Sequence, residues 1–375
     1  MNNIDYVRHS IEPLVQELGV DKIVQKLAEF RSDTASKQCQ QTLKLVVDNA
    51  NDTVSNKLLD LILNAVNKML PVIEKHLLEG IEMETDANSL DKLMSYLDDS
   101  LMTMRNQLNP DNFQRVLSIV WNSVSFKVEN MTLSSLNQKK PPQFFKHLLK
   151  IFDVLVEFFN ESNEASQEFR QSLQLYSLTT DELTHLYHLQ QCKKIQSADQ
   201  GDCGQLTIRA MILKNQGILK IEIMNARNLK PVDSEGNCDP YVKINFLPED
   251  KFLNTTKPRT KVHKKTLYPL FDETFQVVLT NDQMDLKDAL LQFVVKDQDF
   301  LGKNEFVGES FLFMNRIKFA QDSEKLLDME QIHMKLGKPS SEKNSKIWDV
   351  IEQRSISLND KKAKEFIKRQ KTRMG

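Results

Sequence analysis

The spacing of apolar residues changes near residue 200. Up to about residue 195 they recur in steps of three and four. Leu58, Leu59, Ile62, Ala65, Val66, Met69, Ile73 and Leu77, for example, form a stripe that one helix face must bury. Pro71 inside that stripe predicts a kink rather than a stop. The pattern predicts helices over about 3–30, 34–50, 54–81, 89–108, 111–136, 142–176 and 180–192. Helix-start chemistry supports several of these: Asn109-Pro110-Asp111, Lys139-Lys140-Pro141-Pro142, and the capping box offered by Thr179-Thr180-Asp181-Glu182. Long helices joined by short polar links pack as an antiparallel bundle or stacked rod. From about Gln205 the runs are short and β-rich: Leu206 to Leu213, Ile218 to Met224, Tyr241 to Leu247, Phe275 to Leu279, Leu290 to Val295 and Phe311 to Met314. Bounded by Gly, Asn, Asp and Pro, they predict an antiparallel sandwich, with Asn215-Gln216-Gly217 as its first hairpin turn.

The fold class expected is therefore multi-domain, α followed by all-β. A helical domain spans 1–195, a linker 196–203, a sandwich 204–340 and a basic helical tail 341–375. The tail begins polar and ends in a helix capped by Asn359-Asp360 and rich in Lys and Arg. It reads as a solvated or frayed segment, or as an added membrane or partner contact.

Composition sharpens the division. The 375 residues carry a formal charge of -2, which conceals -7 over residues 1–200 and +5 over 201–375. The second half is the better candidate for an anionic partner. Cys39, Cys192, Cys203 and Cys238 are scattered without metal-finger spacing, which suits reduced thiols in a cytosolic compartment. No uncharged apolar stretch approaches the length of a membrane span, and the first residues lack the pattern of a signal peptide.

Two loops of the β half concentrate carboxylates beyond what folding demands. One runs from Asp233 through Asp239, the other from Asp297 through Asp299 to Glu305. Asp297 and Asp299, two apart, project to one side of an extended loop, and Gly302 lets the chain turn so that Glu305 returns there. If both loops sit at one end of a sandwich, five carboxylates converge. Each pair at about 4 Å then repels by about 4 kcal/mol at an effective dielectric near 20, so a cation must relieve them or the loops must splay. Calcium suits such oxygen-rich, flexible sites. Zinc does not, because Cys238 is the one nitrogen or sulfur ligand in these loops.

Residues 204 to about 335 resemble a C2 domain of synaptotagmin-like topology. The family's Ser-Asp-Pro-Tyr-Val is matched by Cys238-Asp239-Pro240-Tyr241-Val242, and its Asn-Pro-x-Phe-Asn-Glu-Thr-Phe by the stretch Tyr268 to Phe275. The resemblance places calcium-ligand positions at Asp233, Asp239, Asp297, Asp299 and Glu305, with Glu at the last where Asp is usual, and implies two or more Ca2+ ions.

Lys257, Arg259, Lys261, His263 and Lys265 alternate along one predicted strand, so they share a face, while Thr260 and Val262 point away. C2 domains use a similar strand for phosphoinositides, and each Lys or Arg near an anionic surface contributes about 1 kcal/mol. Phe300 and Leu301 fall at the expected tip of the second loop and are candidates to insert into lipid once calcium cancels the carboxylate field. The alternative is that they pack back onto the loops.

The helical half is similar to the second homology region at the C-terminal end of the MUN domain of the unc-13 family, which precedes a C-terminal C2 domain there. The order of modules, the Lys139-Lys140-Pro141-Pro142 junction before Phe144, Phe145, Phe152, Phe158 and Phe159, and the tail from Asn359 to Arg369 carry the likeness; the tail resembles the homologue D branch. The resemblance implies a cytoplasmic, peripheral protein of vesicle, endosomal or plasma membranes. Such a protein binds anionic phospholipid and SNARE proteins such as syntaxin, engages a small GTPase through upstream regions, and acts in vesicle tethering and priming for exocytosis. Family members carry an upstream C2 domain and an earlier part of the rod, so the sequence reads as a fragment, a truncated gene product or a short isoform.

The same aromatic helix, with Phe145, Leu148, Leu149, Phe152, Leu155, Val156 and Phe159 at helical steps, also reads simply as bundle core. His185 and His188, one turn apart, lack a third metal ligand nearby. No nucleophile elbow, P-loop, zincin helix or kinase signature is present, so no enzyme is expected. Nucleic-acid binding is not expected either, since the basic face lacks interleaved exposed aromatics. The competing reading is a calcium-insensitive helical scaffold whose C2 domain attaches constitutively to membranes.

Overall fold

The computed structural model describes residues 1–82, 87–198, 202–231, 236–298, 304–339 and 345–374. Two compact units, Met1–Ser177 and Leu178–Gly375, divide the chain.

The first unit is helical. Its elements are α1 (Asn2–Glu17), α2 (Val20–Phe30), α3 (Asp33–Glu82), α4 (Ala87–Gln107), α5 (Pro110–Asn137), α6 (Pro142–Phe159) and α7 (Glu164–Ser177). The expected stripe of α3, except for Leu59, which is exposed, forms the spine of the core: Leu58, Ile62, Val66, Ile73 and Leu77 pack with Leu93 and Leu97 of α4, Val120 of α5, and Phe145 and Phe152 of α6. The Trp121 ring lies 6.1 Å from that of Phe152 and 5.5 Å from that of Phe159. The aromatic helix is thus core.

Three boundaries differ from the sequence reading. The segment expected as one helix over 3–30 breaks at Gly19, whose φ of +64° is easy only for glycine. The helices expected at 34–50 and 54–81 are one continuous helix of 50 residues running through Asn51-Asp52 and Pro71. The span 142–176 is two helices, because Asn160 adopts a left-handed conformation and Asn163 caps α7, its Oδ1 accepting from the Ser166 amide at 2.9 Å.

The second unit opens with α8 (Thr180–Ser197), capped as its sequence suggests: Thr179 Oγ1 accepts from the Glu182 amide and Glu182 Oε2 from the Thr179 amide. The strands come next as β1 (Gln205–Leu213), β2 (Ile218–Arg227), β3 (Pro240–Leu247) and β4 (Leu270–Val278). After the short α9 (Asn281–Met284) come β5 (Leu290–Asp297), β6 (Glu305–Phe313), β7 (Lys318–Ala320) and β8 (Ile332–Lys335), then α10 (Lys346–Ser357) and α11 (Lys361–Met374). One sheet runs β4-β2-β1-β7 with β8 also on β1; the other runs β3-β5-β6. The β1–β2 turn closes at Gly217, where a Cβ would stand 2.7 Å from the Leu279 carbonyl oxygen. Leu206, Ile208, Leu219, Ile221, Ile244, Phe246, Leu291 and Phe293 fill the space between the sheets.

Strand β5 is buried on both faces, and the helices explain why. Leu291, Phe293 and Val295 point into the sandwich core. On the opposite face Leu290, with Leu247 and Phe311, packs against Cys192 and Ile195 of α8. The approach is close: a Cβ on Gly337 would stand 2.9 Å from Ile195 Cγ1. Helix α8, which composition groups with the preceding helices, therefore packs with the sandwich.

The tail is neither frayed nor a plain solvated helix. Ala363, Phe366, Ile367, Gln370 and Arg373 of α11 are buried. Phe366 meets the Tyr187 ring at 5.3 Å and that of His188 at 5.5 Å, both edge-on. Asp360 Oδ2 accepts from Thr180 Oγ1 at 2.6 Å, joining the α10–α11 corner to the start of α8. At the far end Arg373 Nη1 donates to Glu309 Oε2 at 2.6 Å, a pair whose side chains are 10% and 0% exposed. Gln292 Nε2 donates to the same Glu309 oxygen at 2.8 Å, which offsets part of the cost of burying the charge, while Glu309 Oε1 is buried without a hydrogen-bond partner among the described residues.

Candidate functional site

Asp239 precedes β3, Asp297 ends β5 and Glu305 begins β6. The antiparallel register places Asp297 opposite both Pro240 and Glu305. The same edge of the three-stranded sheet therefore collects three of the five acidic positions named from the sequence. The Asp239 amide donates to Asp297 Oδ1 at 2.7 Å, and the Lys265 amide donates to Asp239 Oδ1 at 2.7 Å. The Gln298 amide donates to the Asp239 carbonyl at 3.0 Å. Backbone amides thus fix two carboxylates by one oxygen each. Cys238 is fully buried in the sandwich core, which leaves an oxygen-only donor set of the kind calcium takes. Asp233, Asp299, Phe300 and Leu301 lie outside the described residues. Among the described residues no group of three or more His, Cys, Asp and Glu side chains is placed to hold a metal ion. His188, packed against Phe366 and Phe311, is part of a hydrophobic contact.

The basic segment 256–266 runs antiparallel beside β3 as an irregular edge rather than a full strand. The Ile244 amide donates to the Pro258 carbonyl, the Thr260 amide to that of Val242, the His263 amide to that of Pro240 and the Thr266 amide to that of Cys238. The spacing slips by one residue between Thr260 and His263, and again before Thr266. The expected alternation holds for Lys257, Arg259 and Lys261, which are exposed around a buried Thr260. Beyond them it fails. His263 is half-buried, its ring 5.0 Å from that of Phe271, and Lys265 adopts φ +52° while its amide serves the acidic end. The single five-residue face is thus corrected to three exposed cations followed by a bulged return. Arg259 lies over the Tyr241 ring at 5.2 Å.

Sequence reasoning missed a second cationic region. A cleft of about 730 Å³ in the second unit is lined by Lys243, Lys296, Lys338, Lys368, Arg369 and Arg373, together with the carboxylates Glu305 and Glu365. These cations come from β3, β5, the segment after β8, and α11, so only the folded register brings them together. The one signal on the chain is that Lys243 and Lys296 share the outward face of their strands, opposite each other but for two residues of β5.

A two-sheet sandwich with Asp239, Asp297 and Glu305 at one end and a cationic edge beside β3 has the form of a C2 domain, and residues 217–329 match the C2 domain family. The crystal structure of a RIM C2 domain from Drosophila aligns at 25% identity over 36% of this chain and 97% of that chain, with a TM-score of 0.29. Across the whole chain the similarity is to longer proteins. Protein unc-13 homolog 4B of Drosophila melanogaster is 36% identical over 381 residues, which cover 100% of this chain and 32% of that protein. Protein unc-13 homolog D of Homo sapiens is 23% identical over 380 residues, 98% of this chain and 34% of that protein. The chain belongs to the unc-13 family, as its C-terminal helical and C2 region. It spans about a third of the length of these relatives.

Proposed function

We propose that this chain is a calcium-dependent phospholipid- and SNARE-binding unit acting in vesicle tethering and priming for exocytosis. The observation that supports the reading is that strand register puts the positions Asp239, Asp297 and Glu305 at one sheet end, near the exposed cations Lys257, Arg259 and Lys261. Asp233 and Asp299 complete the proposed ligand set. When bound, calcium supplies positive charge and open coordination positions to which lipid phosphate oxygens bind. Asp239 and Asp297 hold their carboxylates oriented through the amides they accept, and the cations of the basic segment attract the anionic surface before contact. Phe300 and Leu301 add an apolar contact on insertion. The helical unit supplies the SNARE-binding surface in this reading. Exposed Tyr6, Leu18 and Phe30, and Leu45 on α3, offer apolar contacts there. Membrane attachment is peripheral, in keeping with the finding that no described helix is long and apolar enough to cross a membrane.

The test is liposome sedimentation of the chain with anionic vesicles, in calcium and in chelator. Wild-type protein sediments in calcium alone, and Asp239→Asn with Asp297→Asn abolishes that dependence. Equal sedimentation of the double variant in calcium, or calcium-independent sedimentation of the wild type, overturns the reading in favour of a constitutive scaffold. Vesicle clustering with syntaxin-bearing liposomes tests the SNARE part separately.

A further inference from the structure

The tail helices meet α8 and β6 through polar groups that the fold leaves unsatisfied. Tyr187, His188, Glu309 and Gln370 are all buried. The Tyr187 hydroxyl, both ring nitrogens of His188, both side-chain amide atoms of Gln370 and Glu309 Oε1 have no hydrogen-bond partner among the described residues. Each such atom has left water without a bond that offsets the loss. Polar fastenings hold the two ends of the hairpin instead. At the α10–α11 corner Arg354 donates to the Leu178 carbonyl and to Thr180 Oγ1, Thr180 donates to Asp360, and Lys362 pairs with Asp181. At the far end Arg373 pairs with Glu309. Between them Phe366 rests edge-on against Tyr187 and His188. A docked element with so many unmet groups belongs to the part of a fold that opens first.

His188 is the member of this interface whose ordinary titration lies near neutral pH. Its ring stands 6.0 Å from that of Phe311 on β6 and 5.5 Å from that of Phe366 on α11. The charges around it are mostly positive: Arg369 and Arg373 from α11 and, in acid, His185 from α8. The facing carboxylate of β6, Glu309, is engaged by Arg373, and Glu249 engages Arg369. A proton on His188 therefore adds a buried charge to a place already rich in cations.

We propose that the α10–α11 hairpin is an acid-released strap: protonation of His188 frees it as a unit from α8 and β6 while the sandwich stays folded. Once the strap is off, the ring hydrates and takes a proton near pH 6.5, whereas burial chiefly, then Arg369 and Arg373, hold the docked imidazole well below that value. The opening equilibrium is thus constant above pH 6.5 and rises about tenfold per unit below it, until the docked value is reached. Glu309 acts in the opposite sense, because burial raises its carboxyl and the docked state takes up that proton more readily. His185 has Asp288 and Asp250 as its acidic neighbours and provides the control.

Hydrogen exchange of the full chain, in chelator and without lipid, tests the strap at pH 7.5 and 5.5 after correction for intrinsic rates. Residues 346–374 exchange about tenfold faster at pH 5.5, while 205–213 and 290–297 keep their protection. His188→Phe brings that ratio to about one or below, since Glu309 alone then remains to titrate, and His185→Phe keeps it. Gln370→Leu slows exchange across 361–374 at both pH values, because an apolar group replaces two unpaired atoms. An unchanged tail in acid, parallel loss in tail and sandwich, a tenfold ratio that survives in His188→Phe, or faster exchange in Gln370→Leu overturns the proposal. Calcium, lipid and SNARE proteins take no part in the measurement, so its outcome and that of the proposed function are independent.

Discussion

Glu305 and Glu309 lie four residues apart on β6, yet they meet opposite fates. Glu309 is fully buried, fixed by Arg373 and Gln292, and burial pushes its carboxyl above the usual range even with Arg373 beside it. Glu305 is exposed at the strand's first position, beside Asp297. A register shift between Val295 and Lys296 turns the strand between them. The comparison separates two uses of one residue type. A charge matched inside the fold holds α11 on the sheet, and a charge left at the edge is free to meet something from outside.

The sharpest way to break this comparison is to strand the buried carboxylate. Arg373→Met leaves Glu309 unpaired and lowers stability by about 3–5 kcal/mol in guanidinium denaturation, whereas Arg373→Met with Glu309→Leu recovers most of the loss. Glu305→Gln should stay within about 0.5 kcal/mol of the wild type in the same measurement. Equal costs for the two glutamates would erase the distinction.

Acid probes the same interface from α8. Burial first, then Arg369, Arg373 and His185, hold the His188 imidazole well below its ordinary value. The unfolded chain takes up a proton near pH 6.5 and the folded chain does not. Stability is therefore complete above that pH and falls by about 1.4 kcal/mol per unit below it, until the folded pKa is reached. His185, also lowered mainly by burial, adds the same sign. Denaturation midpoints at pH 7.5 and 5.5 check this, and His188→Phe flattens the slope.

At the edge the effects are smaller. Lys261→Glu reverses one exposed cation and weakens binding to anionic vesicles by about 2 kcal/mol at low salt, with the difference shrinking as salt rises. Thr179→Ala, which removes the cap of α8, costs about 1 kcal/mol in thermal unfolding.

How much of this can be read from the chain depends on the kind of signal. The stripe of α3 and the short β-rich runs of β1 to β3 are local patterns, and the structure keeps them apart from the exposed Leu59. Strand β6 is legible only from Phe311 because Glu305, Gly308 and Glu309 suppress its apolar pattern, although Glu309 is interior. Helix α11 reads as solvated for the same reason: Gln370 and Arg373 occupy buried positions that a hydrophobic count scores as exterior. Helix α10 is hidden within a tail that reads as polar, although Ile347, Val350 and Ile351 give it a helical stripe. The acidic positions are legible as motifs. That Asp239, Asp297 and Glu305 fall at one sheet end follows only from the register, and the cationic cleft requires partners more than a hundred residues apart.

The seating of α8 bears on how the sandwich can be handled by itself. A recombinant piece starting at Gly204 would expose Leu247, Leu290 and Phe311 to water where Cys192 and Ile195 now cover them. Such a piece is expected to self-associate through that bare face, and starting it at Leu178 while keeping α10 and α11 retains the cover.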